Sequence, residues 1–269
     1  MKKRKLILYL TVLAIILGLL VWMIVDNKAL ELNTITVNND ALPQEFDGFR
    51  IAHVSDLHSA EMGQGNRNLL DMLEDVKPDI IAITGDLMDC RDTDPSVALA
   101  FCEKAALIAP VYYVTGNHEV RLDGDIYLQL MEGLRNAGVH ILEDEEVILS
   151  RQNASISIAG HMWGDTAKID EISNFDGFRV LLSHPPEDVE DYAAAGFDLV
   201  LAGHAHGGQF RLPWIGGLIA PGQGFFPEYD AGLYRINSTD MVVSRGIGNS
   251  SIPLRFNNPP EVVLIILEA

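Results

Sequence analysis

Five short polar clusters in this 269-residue chain hold the side-chain types that bind metal ions, and each follows directly on an apolar run. Asp56 and His58 follow residues 50–55, and Asp86, preceded by Gly85, follows residues 79–84. Asn117, His118 and Glu119, preceded by Gly116, follow residues 111–115; His184 follows residues 180–183; His204 and His206, preceded by Gly203, follow residues 198–202. Imidazole, carboxylate and a single amide oxygen suit borderline divalent metals such as manganese, iron, zinc or cobalt. In D-x-H and H-x-H, two ligands on alternate residues of an extended segment point to one side. Glycines before Asp86, Asn117 and His204 let the backbone turn and approach a ligand closely. One such cluster alone is a turn or a pair of packing histidines; five at strand ends in one chain read as a single metal centre.

The order of the motifs, D-x-H, G-D-x-x-D, G-N-H-E, H and G-H-x-H, resembles that of the calcineurin-like metallophosphoesterases, over roughly residues 49–269. The resemblance implies a four-layer αββα sandwich of two mixed sheets, with two divalent ions at the strand ends. It implies that Asp56, His58, Asp86 and His206 hold one ion. Asp86 would bridge to a second, completed by Asn117, His184 and His204. His118 would face the substrate and assist the leaving group, and Asp89 and Glu119 would support the ligands from behind. Two divalent ions outweigh Asp56, Asp86 and a bridging hydroxide, so the centre would attract a phosphate, and the hydroxide would attack phosphorus in line. The expected activity is that of a phosphoesterase, foremost a phosphodiesterase. A pyrophosphohydrolase of lipid-linked or nucleotide diphosphates would use the same metals, and a non-catalytic scaffold would show a damaged site where this one is whole.

The elements that must position these clusters alternate. Helical periodicity marks residues 66–76, 95–108 (with Pro95 in the first turn), 125–136 and 187–195. Strand-like runs at 34–37, 156–159, 241–244 and 262–267 join the five that precede the clusters. Strands alternating with helices imply an α/β layered fold, in which sites form where strands end and loops begin.

The first 28 residues have another character. Residues 6–25 are uncharged and apolar, and Lys2, Lys3, Arg4 and Lys5 precede them. About 20 such residues span a bilayer as a helix. The run is longer than a signal-peptide core and lacks a small-residue cleavage site, so it reads as a transmembrane signal anchor. Basic residues before it and Asp26 after it place the tip in the cytoplasm and the catalytic domain, residues 49–269, outside the cell membrane, beyond a stalk and first strand at 29–48.

Beyond the anchor, 15 basic groups face 38 acidic ones, a net of −23. That field disfavours nucleic acid, and the expected partners are a phosphoester or lipid-phosphate substrate and the membrane. Cys90 and Cys102 allow either a disulfide or two buried thiols. Of the histidines outside the clusters, His53 lies within a strand pattern and reads as core, His140 as packing, and His161, after Gly160, as a pocket candidate. Residues 210–226 carry eight large apolar side chains, Trp214 and Phe226 among them, broken by glycine and proline. Either they form a loop buried beneath the sheets, or an apolar lip for a lipid-like or aromatic leaving group.

Overall fold

In the computed structural model, which describes residues 2–164, 166–249 and 252–269 without the side chains of Lys2 and Lys168, the apolar runs become the inner strands of two sheets. The side chain of Lys2, in the basic tip, therefore lies outside the described residues. The first sheet holds β1 (Glu31–Asn38), β2 (Arg50–Val54), β3 (Ile80–Thr84), β4 (Val111–Val114) and β5 (His140–Ile141), with the last strand of the chain, β16 (Glu261–Glu268), between β1 and β2. From β2 to β5 the strands are parallel, and α2 (Arg67–Val76), α3 (Ser96–Ala105) and α4 (Gly124–Asn136) make the crossovers. β16 runs antiparallel to β2 and parallel to β1.

The second sheet contains β6 (Glu145–Arg151), β7 (Ala154–Gly160), β8 (Arg179–Leu182), β9 (Leu199–Ala202), β14 (Gly232–Ile236) and β15 (Thr239–Val243), in the order β14-β15-β9-β8-β7-β6. Its four inner strands are parallel and its two edges antiparallel. Between β9 and β14 the chain makes two small hairpins, β10 (Arg211–Leu212) with β11 (Gly216–Gly217) and β12 (Ile219–Ala220) with β13 (Gly224–Phe225).

Side-chain alternation shows how the sheets stack. In β3, Ile81 and Ile83 face α2, α3 and α4, while Ile80 and Ala82 face the second sheet. In β9, Leu199 and Leu201 meet the first sheet, while Val200 and Ala202 pack with Val189 and Tyr192 of α5 (Val189–Ala194). The result is a mixed α/β sandwich in which strands covered on both faces are apolar throughout rather than alternating. The five strands that lead into the clusters, β2, β3, β4, β8 and β9, end at the same edge of this sandwich.

The helices begin and end within three residues of the positions that periodicity predicts, except that Pro95 stands before α3 rather than in its first turn. The edge strands β6 and β14 carry no strong sequence signal, because they are only partly buried and their polar residues break the pattern. Cys90 and Cys102 are free thiols, Cys102 buried. Ahead of all this, α1 (Lys2–Asp26) is one helix long and apolar enough to cross a membrane.

Candidate metal centre

The clusters meet because neighbouring strand ends are tied by their own backbones. Asp56 N–H donates to Gly85 O (3.1 Å), His58 N–H to Asp86 O (2.9 Å), and Gly203 N–H to His184 O (3.1 Å). The two sheets are joined across the site where His204 N–H donates to the Asp56 carboxylate (3.1 and 3.2 Å). Two glycines leave room for these approaches. A Cβ on Gly116 would stand 2.2 Å from Asp86 Oδ1, and one on Gly203 would stand 1.8 Å from Ser55 Oγ.

Alternation along an extended segment is not what aims the paired ligands. Asp56, His58, Asp86, His204 and His206 all have positive φ, between 46° and 65°. Aspartate and histidine tolerate this left-handed region better than most residues, yet each instance costs on the order of 1 kcal/mol or more. Interstrand hydrogen bonds hold the strain, and the bent backbone swings both side chains of each pair inward.

Two groups of donor atoms result. Asp56, His58 and His206 form one, with His58 Nε2 3.2 Å from His206 Nε2 and His206 Nε2 3.4 Å from Asp56 Oδ1. Asp86, His184 and His204 form the other, with His204 Nδ1 3.1 Å from His184 Nε2. Asp86 stands between them: Oδ1 accepts from His118 N–H (2.8 Å), while Oδ2 lies 3.6 Å from His58 Nε2 and 3.3 Å from His184 Nε2. Asn117 adds a buried Oδ1 that has no hydrogen-bond partner. His184 donates its Nδ1–H to Thr84 O (2.6 Å), which frees Nε2 for the centre, the usual way a backbone carbonyl orients a metal-binding ring. So many buried donors at contact distance, one of them an orphaned amide oxygen, fit a dinuclear site for divalent cations.

The electrostatics agree. Burial would raise the Asp86 carboxyl, but the charge and hydrogen bond of His184, then His58 and His118, hold it well below the carboxylate range. Burial likewise opposes charge on His184, yet Asp86 and Asp56 push that ring above its ordinary value. Burial keeps His58, His204 and His206 neutral, the form that can ligate. Carboxylates that draw a proton onto a buried imidazole would draw a divalent cation more strongly.

His118 and Glu119 take different parts. The Cys90 amide donates to His118 Nδ1 (3.0 Å), so in the neutral ring the proton sits on Nε2, 4.0 Å from Asp86 Oδ2. Glu119 is fully buried and accepts from the amides of Asp86 (2.9 Å), Gly116 (2.7 Å) and Met88 (3.1 Å), clamping the loops after β3 and β4 together. Asp89 receives the guanidinium of Arg91 (2.7 Å from Nε), and this bond holds its carboxyl at about 2.

A cavity of about 290 Å³ opens over the centre, lined by Asp86, Asn117, His118, His204 and His206. Its other walls include Arg121, Trp163 and Glu187, which no motif singles out. Trp163 lies over His204 (ring centroids 5.0 Å apart) and His184 (5.6 Å). A lone tryptophan after a strand end, at Gly160 plus three, is the only signal that could have marked it. His161 is not among the residues lining this cavity: it is buried against Asp144, Nδ1 to Oδ1 2.9 Å. His53 is core, its Nε2 2.8 Å from Thr84 Oγ1, and His140 stacks on Tyr112. Trp214 and Phe226 are on the surface, with Ile215 and Phe225, so residues 210–226 do not form a loop buried beneath the sheets.

The chain is 30% identical to the Bacillus subtilis metallophosphoesterase YkuE over 245 residues, which cover 87% of this chain and 84% of YkuE. It is 29% identical to the Escherichia coli phosphodiesterase YaeI over 230 residues, covering 81% of this chain and 82% of that one. Among solved structures, TT1561 of Thermus thermophilus shares the fold at 13% identity, with a TM-score of 0.50 over 74% of this chain and 90% of its own. The calcineurin-like phosphoesterase profile matches residues 49–208, which run from β2 through all five of the strand ends that carry the polar clusters, and the chain belongs to that family.

Proposed function

We propose that the protein is a phosphodiesterase that works with two divalent cations and is anchored by α1, its domain on the extracytoplasmic side. Asp56, His58, His206 and Asp86 would hold one cation, and Asp86, Asn117, His184 and His204 the other. When bound, the pair neutralises phosphoryl charge and makes water a nucleophile near neutral pH. The protein's own groups do the rest. His118 holds a proton on Nε2 at the cavity wall, placed there by the Cys90 amide, and gives it to the departing ester oxygen. Arg121 offers a cation at the cavity rim for a phosphate oxygen, and Trp163 shields His184 and His204 from water. One water is consumed: its oxygen joins phosphorus, the bond to the leaving oxygen breaks, and that oxygen takes the proton.

What carries this reading is Asp86, whose Oδ2 lies between two histidine-rich donor groups while Oδ1 is fixed by a backbone amide. The relative YaeI is named a phosphodiesterase, which favours diesters over monoesters. The test compares bis(p-nitrophenyl) phosphate with p-nitrophenyl phosphate, using the full chain stripped by chelator and reloaded with manganese, iron, zinc or cobalt. Hydrolysis of the diester only after reloading, at two metals per chain, is expected. Turnover that survives complete metal removal would sink the proposal.

A further inference from the structure

On the side of the two hairpins the cavity over the metal centre is bordered by Pro221 and Gly222. Beside it lies a groove of about 360 Å³ whose walls include Gln209, Ile219, Ala220, Pro221, Gly222 and Ile252. His206, Pro221 and Gly222 border both spaces, so a ligand with its phosphorus at the cations has a direct path along an apolar channel. Apart from His206 no ionisable group among the described residues lines the groove, whereas the cavity presents Asp86, Arg121 and Glu187. Such a channel suits hydrocarbon and not a sugar or a nucleotide base.

Three further observations place this channel at a bilayer. The end of α1 is seated on the loop that carries Ile252. Asn27 donates to Arg255 O and accepts from Arg255 N–H, both at 2.9 Å, Asp26 accepts from Asn258 N–H (3.3 Å), and Trp22 packs edge-on against Phe256 (5.0 Å). Asp26 is the first charge after the apolar run, so it marks the membrane surface. Ile252 is three residues from Arg255 and hence within about 10 Å of that level. Gln209, on the other wall, donates to Ile252 O (2.9 Å) and Leu254 O (2.7 Å), which fixes the hairpin side of the groove to the same loop.

The second observation is aromatic. Outside α1, the exposed aromatic side chains among the described residues are Trp214 (103%), Phe225 (77%) and Phe226 (67%), all on the two hairpins. Aromatics left in water on a charged domain mark a surface that meets an apolar phase, and tryptophan is enriched where proteins meet lipid headgroups. The third is charge. Although the chain carries 38 acidic residues, none falls between 199 and 227 or between 241 and 260, the two segments that wall the groove. The hairpins thus bring no carboxylate of their own to that face, and Asp230, which packs against the first of them, is paired with Arg211 (3.0 Å).

We infer that the substrate is a lipid phosphoester drawn from the bilayer in which α1 sits, its phosphorus at the metal centre and its hydrocarbon chain along the groove between Ile219–Ala220 and Ile252. The reaction is the hydrolysis given above, on whose reading this inference rests. The anchor is thus more than a tether: hydrogen bonds at Asn27 and Asp26 fix which side of the domain meets the lipid.

The test uses the full chain in phosphatidylcholine nanodiscs, loaded in turn with manganese, iron, zinc or cobalt, and follows p-nitrophenolate release from p-nitrophenyl ethyl, butyl and hexyl phosphate. A rise in kcat/KM with chain length is expected, up to about fourfold for each methylene that enters the groove. Ile219→Ser should flatten that dependence, a slope within one variant that does not depend on its overall rate. A second arm places p-nitrophenyl hexadecyl phosphate in the same bilayer, where turnover is expected. A flat series with the ethyl ester still hydrolysed would overturn the lipid assignment and leave the phosphoesterase reading intact. A rising series with no turnover of the bilayer-held ester would overturn the membrane source. No hydrolysis of any ester with any of the four metals would remove the phosphoesterase reading, and this one with it.

Discussion

Replacing His118 with alanine separates proton donation from metal binding. Its Nδ1 accepts from the Cys90 amide at 3.0 Å, which leaves a single proton, on Nε2, at the cavity wall. A donor so placed lowers the barrier in proportion to the charge that develops on the leaving oxygen. For an alkyl ester, whose alkoxide is a poor leaving group, a positioned acid contributes on the order of 10²–10⁴ in rate, or about 3–5 kcal/mol. p-Nitrophenolate leaves as a stable anion and needs little of that help, so its loss should stay below about tenfold. The assay is kcat for bis(p-nitrophenyl) phosphate against a dialkyl phosphate, with metal content measured on the same preparations. Geometry admits a rival role, because His118 also lies with His58 and Asp86 within metal-sharing distance. If His118→Ala lowers metal content, or if the rate falls equally for both leaving groups, proton donation from Nε2 is refuted.

The remaining predictions concern the frame around the site. His53 is fully buried, and burial lowers its ring from 6.5 to about 3, so the unfolded chain binds a proton between those values and the folded one does not. The stability this represents is present in full above about pH 6.5 and is lost as pH falls toward 3, about 1.4 kcal/mol per unit and about 4–5 kcal/mol in all. In chelator, urea melts of His53→Gln should show a pH slope shallower than wild type by that amount, and parallel slopes would refute it. Gly203→Ala puts a methyl 1.8 Å from Ser55 Oγ and 2.5 Å from Asp56 Oδ2, so Asp56 must move. It should destabilise by about 1–3 kcal/mol and weaken metal binding; a variant with native affinity would show that the loop relaxes elsewhere. Protease added to intact cells should digest the domain if α1 inserts with its basic end in the cytoplasm, and protection until lysis would reverse the topology.

Much of the fold is legible along the chain. Strands covered on both faces are apolar, helices carry a 3.6-residue stripe, and residues 6–25 of α1 are an unbroken uncharged run, so each of these elements announces itself by a pattern it contains locally. The edge strands Glu145–Arg151 and Gly232–Ile236 do not, since a partly solvated edge needs no such pattern. The ligand types too are written in order, because chemistry selects imidazole and carboxylate whatever the backbone does.

What the sequence determined by itself, then, was which residues could hold metal and that strands deliver them to loops. How they converge was decided by the tertiary structure, through contacts between residues up to 148 positions apart. That distance is why D-x-H and H-x-H, which suggest extended pairs, turn out left-handed at Asp56, His58, His204 and His206: interstrand hydrogen bonds override the local preference. It is also why His161 turns to Asp144 while Trp163, two residues on, packs against His204. Residues 210–226 show the same limit from the other side. Their composition fits a buried loop or an exposed lip equally, and only the fold leaves Trp214, Phe225 and Phe226 outside the core, because burial depends on what the rest of the chain brings to cover a segment.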